Sequence, residues 1–148
     1  MSDLPSAVLF ACTMNSIRSP IAEGILKFLH GHKIYVDSVG VYTSQVDEFA
    51  VSVMDEIGID LSRHKGKKFD DLEDNFYDVV ISLSPEAQHR AVELTRLMSV
   101  ELEFWNIFDP SIIVSDRREP RLEAYRQVRN QLMDMIKKRF PVRRVYDT

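Results

Sequence analysis

The sequence predicts an α/β fold, a three-layer sandwich in which a four-stranded parallel sheet carries helices on both of its faces. Three observations lead there. Short apolar runs alternate with longer segments of helical period, four of each, and this alternation is the mark of strand–helix–strand crossovers. The run Val79–Leu83 is apolar almost throughout, as a strand covered on both sides must be. The 6 prolines and 5 glycines punctuate the ends of the elements and leave no linker between them, so residues 1–148 read as a single domain.

Taken in order, Ala7–Ala11 is the first strand, and Ile21, Ala22, Ile25, Leu26 and Leu29 then recur as one helical stripe. Ile34–Val36 is the second strand, followed by Val46, Ala50, Val53, Met54 and Ile57 at helical spacing. Val79–Leu83 leads into Ala87, Ala91, Leu94 and Met98. The fourth strand, Val100–Trp105, precedes the last stripe of Leu122, Tyr125, Val128, Leu132, Ile136 and Phe140. Each stripe is the core-facing side of an amphipathic helix.

Composition narrows the class. A hydrophobic share of 45% with 28% charged residues is that of a globular chain. The run Ala7–Ala11 is too short for a signal peptide or a membrane span, and Asp3 stands where a basic cluster would precede one. With 1 cysteine the chain can form neither an internal disulfide nor a multi-cysteine metal site, which suits a cytoplasmic location. Lys and Arg concentrate after residue 116, in runs such as Arg117-Arg118 and Lys137-Lys138-Arg139. Such runs read as solvated helix faces, with no nucleic-acid or membrane role assigned to them.

The chemistry gathers where the first strand ends. In Cys12-Thr13-Met14-Asn15-Ser16-Ile17-Arg18-Ser19, five residues separate thiol from guanidinium, enough to wrap a loop around one tetrahedral oxyanion. The backbone N–H groups of Thr13 to Arg18, with those of a helix opening at Ser19-Pro20, form an anion cradle, and Pro at a helix start sacrifices no needed donor. Arg18 can grip two oxygens. The same positive field stabilises a thiolate at Cys12, so nucleophile and cradle coincide. Neither metal nor cofactor is required. Asp109-Pro110 follows the last strand at the same sheet edge, and Pro110 keeps Asp109 extended, within reach for general acid work. Tyr42, after a glycine turn, lines the mouth of the site or packs beside it.

The segment "VLFACTMNSIRSPIAEG" resembles the phosphate-binding loop of the low-molecular-weight protein tyrosine phosphatases and the related thiol-dependent arsenate reductases. The likeness continues through "VDSVG" at Val36–Gly40, "GIDLSRH" at Gly58–His64, "YDVVISLS" at Tyr77–Ser84, "FDP" at Phe108–Pro110 and the closing "EAYRQVRNQLMDMI". It implies a phosphocysteine mechanism with Cys12 as nucleophile, Arg18 as phosphate clamp and Asp109 as general acid and base. It also implies that Asn15, Ser19, Ser38 and His64 form the network holding the loop. The substrate implied is a phosphorylated protein or small aryl phosphate, with inorganic phosphate or a similar oxyanion as the simplest ligand. Arsenate reduction with an external small thiol is the alternative, and a phosphate-binding module without turnover is a third. The chain departs from the pattern in several places. Met14 replaces a customary glycine, Ile17 a second loop cysteine, and Ser84-Pro85 an acidic residue; the segment after Ser38 is short, and no tyrosines follow Pro110.

Overall fold

Strands β1 (Ala7–Cys12), β2 (Tyr35–Gly40), β3 (Val79–Ser82) and β4 (Glu101–Phe104) form one sheet in the order β2-β1-β3-β4, every neighbouring pair parallel. Helices α1 (Arg18–His30), α2 (Glu48–Asp55), α3 (Pro85–Thr95) and α4 (Arg118–Arg139) connect or close them. The computed structural model describes residues 4–72, 76–96 and 98–142. Asp3 of the sequence argument, with Arg143 and Arg144 of the basic segment, lies outside them.

All six residues of β1 are buried, because the strand is central and covered twice. Its side chains alternate. Val8, Phe10 and Cys12 join the core shared with α1, α2 and α4, whereas Ala7, Leu9 and Ala11 join the smaller core under α3. The α4 stripe of Leu122, Tyr125, Val128, Leu132 and Ile136 is buried as its spacing requires. His30, to which the sequence assigned nothing, ties α1 to the end of α4 through a 2.8 Å hydrogen bond between Nε2 and the Phe140 carbonyl.

Several boundaries differ from the sequence reading. The first strand includes Cys12, so the thiol is the last residue of β1. The second runs on to Gly40, since Asp37 and Ser38 are buried with hydrogen-bond partners and the polar pair hides the strand from an apolar search. Helix α1 opens at Arg18, placing Pro20 third in the helix. The first turn lacks intrahelical donors to lose, so the proline is still harmless there. The α3 stripe breaks at Thr95, ahead of Met98. Among the described residues no helix is long and apolar enough to cross a membrane.

Candidate active site

The parallel sheet delivers Cys12 to the carboxyl edge of its central strand, where α/β folds bind ligands. From there residues 13–17 turn back into α1. Three of the loop's carbonyls are taken by the segment after β2: Val41 N–H donates to Cys12 O at 3.2 Å, Tyr42 N–H to Thr13 O at 2.8 Å and Asp47 N–H to Ser16 O at 3.0 Å. The amides point to a different fate. Among the described residues, the N–H groups of Thr13 through Arg18 donate to no protein acceptor, and Ile17, the N-cap of α1, supplies no side-chain cap. A run of open amides at a helix start is what a bound anion satisfies.

The loop is held from behind by one side chain. Asn15 is fully buried and sits at φ 52°, the only non-glycine residue at positive φ among those described. Its Nδ2 donates to Ser19 Oγ at 2.8 Å and to Ser38 Oγ at 2.9 Å, while Oδ1 accepts from Lys67 N–H at 2.9 Å and pairs with His64 Nε2 at 3.1 Å. That uses all four of its hydrogen-bonding positions. Since the Asn15 oxygen can only accept, His64 Nε2 carries a proton. Asparagine also tolerates the left-handed backbone better than most residues, so Met14, where glycine is customary, keeps an ordinary φ and lies partly exposed at the rim.

The network reaches the thiol. Ser19 Oγ, already accepting from Asn15, lies 2.9 Å from Cys12 Sγ and can turn its own proton toward the sulfur. Ser38, likewise accepting from Asn15, donates to Glu23 Oε1. Glu23 is buried, bonds Lys27 one turn along α1, and stands 3.8 Å from His64 Nδ1. Burial holds the His64 imidazole below its ordinary value, against the pull of the Glu23 charge. Asn15, Ser19, Ser38 and His64 are thus brought together as one cluster.

Arg18 is pinned across the front. Its Nη1 donates to the Ile107 carbonyl at 3.0 Å and its Nη2 to Thr13 Oγ1 at 3.4 Å, with Asp109 Oδ2 3.9 Å away. Asp109 caps the short turn Pro110–Ile112: Oδ1 accepts from Ser111 N–H at 2.9 Å and Ser111 Oγ at 2.7 Å. The second oxygen is left facing Arg18 and a cavity of about 50 Å³ lined by Cys12, Met14, Ser16, Arg18, Asp109 and Ser111. One water needs roughly 10–15 Å³ of such space, so the cavity is on the scale of one small oxyanion. A larger hollow of about 920 Å³, lined by Lys27, Asp37, Arg63, His64 and Lys67, lies behind the Asn15 network and contains neither thiol nor Arg18. Tyr42 supports the loop through its N–H while its ring is exposed and does not line the small cavity.

Sequence reasoning included Thr13 in the cradle but missed three contributions: that of its hydroxyl, that of Ser84 and that of Gly40. Thr13 Oγ1 lies 3.0 Å from Ser84 Oγ and 3.2 Å from Glu86 Oε1, linking the loop to the start of α3. Ser84 also caps that helix by accepting from Ala87 N–H at 3.2 Å. Gly40 is the third: a Cβ there would stand 2.3 Å from Tyr42 O and 2.7 Å from Asn15 N. The Ser-Pro-Glu spacing of a capped helix start was a readable signal for Ser84. Nothing local marks Gly40 as a place where two backbones touch.

The low molecular weight phosphotyrosine protein phosphatase family matches residues 7–141. The chain belongs to that family. It is a family of cysteine-based enzymes, and its members around this chain carry two kinds of name. The glutaredoxin arsenate reductase of Synechocystis sp. is 34% identical over 87% of this chain and 92% of its own length. The arsenate reductase 1 of Staphylococcus epidermidis is 36% identical over 70% of this chain and 77% of its own. Among solved structures, an arsenate reductase in the phosphate binding state superposes with TM-score 0.69 at 32% identity, over 90% of this chain and 95% of that one. The low molecular weight protein tyrosine phosphatase of T. tengcongensis gives TM-score 0.72 at 28% identity, over 90% and 96%.

Proposed function

We propose that the protein hydrolyses phosphate monoesters of aryl alcohols through a phosphocysteine intermediate. The observation that carries this reading is the sharing of one anion-sized cavity by Cys12, Arg18 and Asp109, whose Oδ2 faces Arg18 at 3.9 Å. The sulfur of Cys12 attacks phosphorus, the P–O ester bond breaks, and Asp109 Oδ2 delivers its proton to the departing oxygen. Water then attacks the S–P bond while Asp109 takes a proton back, which releases phosphate and the thiolate. Arg18 and the open amides of Thr13 to Arg18 hold the three equatorial oxygens throughout. Ser19 stabilises the sulfur as attacking and as leaving group.

The test is a panel of aryl phosphates whose leaving groups differ in acidity. Cys12→Ser abolishes turnover and retains phosphate binding. Asp109→Ala lowers kcat by roughly 10²–10⁴-fold for the most basic leaving groups and by less for acidic ones. Absence of hydrolysis by the unaltered protein, or hydrolysis surviving Cys12→Ser, overturns the reading.

The names of the relatives favour a second reading, arsenate reduction. The chain has 1 cysteine, so the thiol that completes such a cycle must come from outside. Cys12 would condense with arsenate as water leaves, and an external small thiol would attack sulfur, leaving a mixed disulfide as arsenic(V) becomes arsenic(III). Arsenite release from arsenate plus a low-molecular-weight thiol, dependent on Cys12, distinguishes it.

A further inference from the structure

The basic segment opening α4 is unused by the reading above, and the fold places it beside the small cavity. Arg118 and Arg121 both lie over the ring of Phe49, their guanidinium carbons 5.1 Å and 4.4 Å from its centroid. Phe49 follows the α2 cap Asp47, whose N–H holds Ser16 of the loop, and its ring packs on Tyr125 at 5.3 Å. From the other direction, the turn Pro110–Ile112 packs on α4 and follows Asp109. Burial and Asp47 push the Tyr125 hydroxyl well above its usual range, and Asp109 pushes it further while Arg121 opposes. Arg121 and the proposed acid therefore act on a common phenol.

Among the described residues, Arg117, Arg118 and Arg121 have no ion pair within 4.0 Å, whereas Glu56, Glu119 and Glu123 are engaged by Arg126 and Arg129. Arginine at the first helical turn also opposes the helix dipole, so the placement costs stability. A guanidinium held over an aromatic face keeps N–H groups available to an anion. Around the turn that follows Asp109, Phe108, Ile112, Ile113 and Val114 are exposed apolar side chains, Val114 at 97%. An apolar flank after Asp109 therefore adjoins the helix whose first turns are cationic.

We propose that Arg118 and Arg121 recognise acidic residues flanking the phosphotyrosine of a peptide substrate. The loop receives the phosphoryl group, the apolar flank receives the ring, and the arginines receive carboxylates from residues beside it. A lone tetrahedral ion fills the small cavity and leaves the arginines unengaged. This proposal rests on the phosphatase reading and names its substrate class.

The experiment compares two phosphotyrosyl peptides of equal length, one flanked by Asp and Glu and the other by Asn and Gln, in 50 mM and 500 mM salt. For the unaltered protein kcat/KM favours the acidic peptide by roughly ten-fold at low salt, a preference that high salt erodes. In the double variant Arg118→Gln, Arg121→Gln the ratio falls toward unity. Equal rates for the two peptides, or a ratio that the variant keeps, overturns the proposal. Binding of the same peptides to Cys12→Ser provides a second readout independent of turnover. Should no aryl phosphate be hydrolysed, the phosphatase reading fails by itself, and the ratio of the two Kd values still decides whether the arginines select acidic flanks; equal values reject it.

Discussion

Behind the Cys12–Arg18 loop, Asn15 has a partner for each of its four hydrogen-bonding positions, and Gly40 lets two backbones come into contact. In front of it, the amides of six successive residues lack protein acceptors among the described residues, and Asp109 keeps one oxygen free of hydrogen bonds, 3.9 Å from Arg18. The same short segment is thus over-determined on one side and unsatisfied on the other. Full satisfaction behind is what makes dissatisfaction in front affordable: a loop free to relax would turn its amides toward its own carbonyls. Rigidity behind and open donors in front are two readings of one arrangement.

Breaking the rear side has the largest expected effect. Asn15→Ala strands Ser19, Ser38, His64 and the Lys67 amide at once and puts alanine at a positive φ. A loss of about 3–5 kcal/mol in chemical denaturation is expected, together with the loss of phosphate binding. Gly40→Ala attacks the same side by steric means. Its Cβ meets backbone, which cannot swing aside, so a loss of roughly 2–3 kcal/mol is expected, with a weaker Kd for phosphate by calorimetry. If either variant binds phosphate as the unaltered protein does, the two sides are independent and the comparison fails.

A change of pH sharpens the comparison without a large structural insult. Burial lowers the His64 value in the folded state, so the unfolded chain takes up this proton first as pH falls. The contribution is present above the ordinary value of 6.5 and is lost below it. Thermal midpoints followed from pH 7.5 to 5 should fall more steeply for the unaltered protein than for His64→Gln. The smallest effect is expected far from the loop, where Arg126 and then Arg129 hold Glu56 at about 2. That pair of bonds supports α2 against α4 above the ordinary value of 4.5 and is lost as pH falls toward 2. Because Glu56 is partly exposed, Glu56→Gln should cost less than about 1 kcal/mol at neutral pH and leave phosphate affinity unaltered.

How much of this could be read from the residues follows from the range of the forces involved. Periodicity reports which side of an element faces the core, and it placed all four strands and helices because burial is a local choice repeated along the chain. It shortened β2, because Asp37 and Ser38 are buried through partners 15 to 40 residues away that no window contains. Cys12, Arg18 and the open amides are legible because they lie within seven residues of each other. Asp109 was legible from its proline and its position after the last strand. Thr13 with Glu86, and Gly40 with Tyr42, depend on segments meeting only in the folded chain. The roles of Asn15, Ser38 and His64 came from resemblance for the same reason.

One detail of α1 has a wider consequence. Pro20 has no hydrogen to offer the Ser16 carbonyl four residues before it, and Asp47, from a different part of the chain, fills that place at 3.0 Å. The Ser16 carbonyl, lying just ahead of α1, serves as a socket for the beginning of α2. Tyr125 donates to the other oxygen of the same aspartate at 3.0 Å, so that the long helix α4 is tied through one side chain to a turn of five residues.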